Sequence, residues 1–187
     1  MTRKINKIVF HHSLTPRDLN IDKSIQSFDR THKGRLHPKA NWYWLHIAYH
    51  YVIDAEGNYR KTRPINEIGY HAWNWNVNKE SIGICCLGNF DKEEPTAKQY
   101  VVCRQLINEI KTQRPNATIH WHKEFATRKT CPWKNFELVK LQSVPSNNKK
   151  EQLLCKLLSY MVWKGWITNP RVSELCHVIC EIIRGNR

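Results

Sequence analysis

The sequence predicts an α/β protein: a mixed central β-sheet flanked by helices, with a C-terminal helical hairpin. Three observations carry that expectation. Short β-rich runs alternate with segments of helical periodicity, in the order strand, helix, hairpin, strand, helix, strand. One run, SIGICCLGNF from Ser81 to Phe90, is continuously apolar and bounded by glycines, as a central strand covered on both faces would be. After Gln142 the pattern changes to two amphipathic helices with no strand between them.

The elements follow in order. KIVFHHS, Lys7 to Ser13, reads as a short buried strand running into polar residues. In the next stretch Ile21, Ile25 and Phe28 stand at helical spacing with Gly34 as a stop, so a helix is expected over Asp22 to Lys33. WLHIAYHYVIDAEGNYRKTRP is a hairpin signal, two β-rich runs joined by a turn at Ala55-Glu56-Gly57-Asn58. Past the SIGICC run, Thr96 with Gln99 three residues later forms a capping box. Cys103, Leu106, Ile107 and Ile110 then make one helical face, and Pro115 ends it. NATIHWH supplies the last strand. Residues 1–142 are thus expected to form the main domain, 143–150 (SVPSNNKK) a polar linker, and 151–187 a two-helix extension. Its apolar faces carry Leu153, Leu154, Leu157, Leu158 and Met161 on one helix, and Val172, Leu175, Cys176, Ile179, Ile182 and Ile183 on the other.

Composition narrows the class. A chain of 187 residues can bury one proper core, and 41% hydrophobic with 25% charged residues is ordinary for a globular protein. The longest apolar runs fall short of the roughly 20 residues a membrane helix needs, so no transmembrane span is expected. The N-terminal segment is basic without an apolar stretch or a small-residue cleavage site, which points to synthesis in the cytoplasm without a signal peptide. A net charge of +14 implies a polyanionic partner, either nucleic acid or a phosphate-rich bacterial envelope. No helix-turn-helix, zinc-finger spacing or RNA-binding signature supports a specific nucleic-acid partner. Eight tryptophans exceed what a core of this size needs, so some should line a surface or groove. Six of the seven cysteines (Cys85, Cys86, Cys103, Cys155, Cys176, Cys180) read as buried free thiols. Cys131 differs, following Lys129 and preceding a proline in a polar loop.

That loop belongs to TIHWHKEFATRKTCPW, Thr118 to Trp133, which places His120, His122 and Cys131 within one short segment. A catalytic zinc takes three protein ligands and keeps a fourth position open. The remaining ligand must come from elsewhere, and the strand end IVFHHS is the best source. Side chains alternate along a strand, so His11 and His12 face opposite ways and only one can serve. The same parity puts His120 and His122 on one face and does not choose between them. Ten histidines in the chain also make a chance cluster of ordinary surface histidines a live alternative.

FHHS after a strand, IAYHYVIDAEGNY, GYHAW, SIGICCLGNF and HKEFATRKTCP occur here in the order seen in the amidase-2 family. The chain thus resembles the zinc N-acetylmuramoyl-L-alanine amidases, a family that includes short phage lysozymes and the related peptidoglycan recognition proteins. The similarity runs over about residues 5 to 140. It implies one Zn2+ ion held by His11, His122 and Cys131, with Cys131 at a position where relatives carry Cys or Asp. It also implies catalytic roles for Tyr49, beside the metal, and Lys129, near the developing oxyanion. Recognition proteins that only bind usually lack the cysteine ligand, which this chain keeps. His71 and Trp73, in GYHAW, together with Asn78 are candidate substrate-binding residues, since a tryptophan face and nearby polar donors suit a glycan-peptide.

The function this implies is zinc-dependent hydrolysis of the N-acetylmuramoyl-L-alanine amide of bacterial peptidoglycan, by a phage or prophage endolysin that reaches the cell wall through a membrane lesion made by another protein. Zinc can activate water, lowering its pKa towards roughly 7, and act as a Lewis acid on the amide carbonyl. A thiolate ligand weakens that acidity, so additional polar groups would help. Anionic cell-envelope polymers are further candidate partners. The competing reading is a non-enzymatic peptidoglycan-binding protein, or a regulator of a protein partner such as a phage RNA polymerase.

Overall fold

The computed structural model describes residues 3–33 and 46–126, with Thr130, Cys131, Phe136, Glu137, Leu141 and Met161. By chain contacts the protein divides into two compact units, Met1–Glu137 and Leu138–Arg187, and every element below belongs to the first. The linker and helical hairpin expected from the sequence lie outside the described residues.

Five strands form one sheet: β1 (Lys7–His12), β2 (Tyr51–Ile53), β3 (Tyr59–Lys61), β4 (Ser81–Cys86) and β5 (Thr118–Trp121), in spatial order β3-β2-β4-β1-β5. β4 runs parallel to both β1 and β2, β5 runs parallel to β1, and the edge strand β3 pairs antiparallel with β2. Three helices pack with the sheet: α1 (Ile21–His32), α2 (Trp75–Glu80) and α3 (Ala97–Gln113). The sheet is therefore mixed, as the element order predicts. All six residues of β4 are buried, as the unbroken apolar run requires.

Local chemistry accounts for the element ends. Asn20 caps α1 by accepting from the amides of Asp22 and Lys23. The Thr96–Gln99 capping box is formed at α3, and the Thr96 hydroxyl also donates to Ala55 O at 2.7 Å. Gly57, at φ 80°, supplies the left-handed turn between β2 and β3.

Alternation along the strands sorts the core into two layers. On one face Val9 is packed with Ala72 and Val77, while Ile21 and Ile25 of α1 join Ile47, Val52 and Leu87. On the other, Cys86 of β4 meets Cys103 of α3 with sulfurs 3.5 Å apart, and Phe10 packs on Phe136 and Trp121. Leu106, Ile107 and Ile110 of α3 are all buried to 2% exposure or less. At about 1.5–3 kcal/mol for each fully buried aliphatic side chain, this face anchors the helix. Cys85, Cys86 and Cys103 are buried free thiols; Cys155, Cys176 and Cys180 lie outside the described residues. Cys131 is also buried, at 7% exposure, although its neighbours in sequence are polar. Among the described residues no helix is long and apolar enough to cross a membrane.

Candidate metal centre

β1 carries two adjacent histidines, and the pleat sends them apart. His11 is level with Cys85 and His12 with Cys86. The His12 ring lies beside Phe90, and its Nδ1 accepts from the Phe90 amide at 3.1 Å. The His11 ring lies 4.5 Å from that of His122, centroid to centroid, and 5.1 Å from that of Tyr49.

The register of β5 then separates His120 from His122. Val9 is level with His120, and the strand ends at Trp121 beside Phe10. His120 therefore sits two residues short of His11, about 6–7 Å back along the strand. Its ring is held by Thr118 Oγ1 at 2.7 Å and Glu124 Oε2 at 2.8 Å. His122 begins a short 3-10 turn, His122–Glu124, and is buried where β1 ends. The same turn fixes Cys131, because the Lys123 amide donates to Cys131 O at 2.8 Å. The His12 amide donates to Cys131 Sγ at 3.2 Å, an N–H that favours negative charge on the sulfur.

One nitrogen of His11, one of His122 and the Cys131 sulfur lie within 4.8 Å of one another, and all three residues are buried. Among the described residues no other trio of His, Cys, Asp or Glu side chains converges in this way. Two imidazoles and a thiol are the donor types zinc prefers. Bonds of roughly 2.0–2.3 Å at a tetrahedral centre put donors about 3.4–3.7 Å apart, so small side-chain rotations would close this trio on one ion. Burial, reinforced by the neighbouring His122, His71 and His12, holds His11 well below the usual histidine pKa, and burial does the same to His71. Neutral imidazole is the form that binds a metal.

The trio opens on a cleft of about 470 Å3 whose walls include His32, Tyr49, Tyr70, Trp73 and Trp75. Tyr49 is half-buried, and its hydroxyl shares a hydrogen bond with the Cys85 thiol. Burial pushes the Tyr49 phenol well above its usual range, so it stays protonated. Trp73 is 79% exposed and Trp75 49%, which places two of the surplus tryptophans at the cleft.

The other residues singled out from the sequence fall differently. Lys129 lies outside the described residues. His71 and Asn78 line the cleft, but their polar atoms turn inward. The Asn78 amide spans the Ala72 backbone, accepting from its N–H at 2.9 Å and donating to its carbonyl at 2.6 Å. His71 meets His11 Nε2 through Nδ1 at 3.0 Å and Ser81 Oγ through Nε2 at 3.2 Å. His50, fully buried, accepts from the Gly83 amide and meets Glu67 O, consistent with a structural role. Ser81 and the His12 amide escaped the sequence reading. A serine where a helix meets a strand carries no local signal of its contacts, and a backbone amide carries none at all.

The model of the family described as N-acetylmuramoyl-L-alanine amidase matches residues 1–134. The chain is 32% identical over 108 residues to an endolysin of Klebsiella phage KP32, covering 51% of this chain and 70% of that one. It is 36% identical over 66 residues to peptidoglycan-recognition protein SC2 of Drosophila melanogaster, covering 35% of each. Among solved structures, the N-acetylmuramoyl-L-alanine amidase LysC from Clostridium intestinale URNW superposes with a TM-score of 0.62 at 27% identity, covering 75% of this chain and 84% of LysC.

Proposed function

Because the chain belongs to the N-acetylmuramoyl-L-alanine amidase family, we propose that it cleaves bacterial peptidoglycan at the amide joining the lactyl group of N-acetylmuramic acid to L-alanine, as a zinc-dependent endolysin of a phage or prophage. The observation that carries this reading is the buried His11, His122 and Cys131 trio opening on a cleft with exposed tryptophans. His11, His122 and Cys131 would hold the ion, which when bound supplies Lewis acidity and a water of lowered pKa. The chain's own residues do the rest. Tyr49, protonated and 5.1 Å ring to ring from His11, would turn its hydroxyl from the Cys85 thiol to donate a hydrogen bond to a substrate oxygen near the trio. Lys129, two residues before Cys131 in the sequence, is assigned the same task. Trp73 offers an open aromatic face to the glycan. The +14 charge favours approach to an anionic envelope, reached after release from the cytoplasm through a membrane lesion.

The test digests purified peptidoglycan with the wild type and with Cys131→Ala, analyses the fragments by mass spectrometry and measures metal content and melting of both proteins. Free stem peptides beginning at L-alanine, with intact lactyl groups on the glycan, are expected from the wild type alone. A folded, zinc-loaded wild type that leaves peptidoglycan intact would refute the hydrolase. Binding that survives Cys131→Ala would then favour a non-enzymatic binder.

A further inference from the structure

The cleft reading leaves His71 as a substrate contact, yet its ring is 5% exposed with both nitrogens engaged. We propose instead that His71 is a positioning residue for the metal centre, selecting the tautomer of His11 through a chain of hydrogen bonds that ends at Val77 O. This inference rests on the metal reading above.

The direction of each hydrogen bond follows from the far end. The Val77 carbonyl can only accept, so Ser81 Oγ, 2.6 Å away, donates its single proton there. Ser81 then offers lone pairs to His71 Nε2 at 3.2 Å, and that nitrogen must carry the proton. His71 Nδ1 is left bare and accepts from His11 Nε2 at 3.0 Å. His11 is thereby protonated on Nε2, and its free lone pair sits on Nδ1. Nδ1 is the nitrogen that faces Cys131 Sγ, at 3.9 Å. A ligating histidine whose second nitrogen is held in this way is fixed in both ring orientation and tautomer.

The seat of the ring points the same way. A Cβ on Gly83 would lie 2.5 Å from His71 Cγ and Cδ2, and one on Gly69 would lie 2.9 Å from Cδ2. Gly83 thus leaves a slot against β4 that the imidazole fills, and Gly69 leaves space that His71 shares with His50 and the Ala48 carbonyl.

The experiment uses the full chain, stripped of metal, as wild type, His71→Ala, His71→Asn and Ser81→Ala. Zinc affinity is measured by chelator competition, and the cobalt-substituted proteins are compared by their thiolate-to-metal absorption. The Asn amide oxygen can take the place of Nδ1, so His71→Asn keeps an acceptor for His11 while losing the imidazole. A partner of this kind is worth roughly 10–100-fold in metal affinity, so His71→Ala should weaken zinc by about that factor, while His71→Asn stays within about threefold of wild type. Ser81→Ala, which frees His71 to present a proton to His11, should fall between them, with cobalt spectra changing in the same order. Wild-type zinc affinity in His71→Ala, or an Asn variant as weak as Ala, overturns the proposal. Should His71→Ala fail to fold, unchanged affinity in Ser81→Ala overturns it, and weakened affinity there with His71→Asn near wild type sustains it. A wild type that binds no zinc overturns the metal reading itself, an outcome distinct from these.

Discussion

Substituting Gly83 by alanine tests how tightly the centre is built. Gly83 lies mid-way along β4, level with Val9 of β1. Its φ is not in the left-handed region, so alanine costs nothing in backbone conformation and the effect is one of space. The added methyl would sit 2.5 Å from two ring atoms of His71 and 2.9 Å from Nε2, where ordinary contact begins near 3.4 Å. The ring must therefore move by close to 1 Å. The strand cannot yield instead, because the Gly83 amide donates to His50 Nδ1 at 3.0 Å and its carbonyl accepts from the His50 amide at 2.8 Å. Overpacking of this kind costs about 1–3 kcal/mol. Stretching the His71–His11 and His71–Ser81 hydrogen bonds adds roughly 0.5–1.5 kcal/mol for each one lost. Urea denaturation of the metal-free protein should show a loss of about 2–6 kcal/mol at unchanged m-value, with weaker zinc binding. Wild-type stability together with wild-type zinc affinity would refute the reasoning, since the ring would then have room that the geometry denies it.

Two further outcomes are expected. Burial, aided by the Arg3 charge, lowers the His50 pKa from the usual 6.5 to about 3. The unfolded chain therefore binds a proton below pH 6.5 that the folded chain refuses, and stability present at neutral pH is lost as pH falls from 6.5 towards 3. Each pKa unit is worth about 1.4 kcal/mol, so denaturation of the metal-free protein at pH 7 and pH 5 should differ by at least ~2 kcal/mol, with His11 and His71 acting in the same direction; a flat profile contradicts this. Trp73→Ala, at a side chain 79% exposed, should leave stability within about 0.5 kcal/mol. The same change should raise KM for peptidoglycan fragments by roughly 2–10-fold, the worth of about 0.5–1.5 kcal/mol of aromatic contact; an unaltered KM removes Trp73 from the substrate groove.

Local signals made most of the fold legible. Period and capping chemistry act over a few residues, so α1, the β2–β3 hairpin, the buried β4 and the capped α3 all appear where the pattern places them. The opposed directions of His11 and His12 are likewise a property of any strand. Lys129 and the C-terminal helices, which the sequence also singles out, fall outside the described residues.

The sequence by itself thus determined the element types and their order, the alternation of neighbouring strand residues between the two faces of the sheet, and through five motifs in register the resemblance to a zinc amidase. Only the tertiary structure decided which residues meet. Parity leaves His120 and His122 equivalent; the pairing of β5 with β1 puts His120 beside Val9 and leaves His122 to reach His11. Cys131 looks exposed among polar neighbours until the Lys123 and His12 amides draw it in. His71 reads as a groove residue; the structure keeps it at the cleft and turns its two ring nitrogens to His11 and Ser81. The physical reason is common to all three: a side chain's direction follows from its own backbone, whereas its partner depends on the register between strands far apart in sequence.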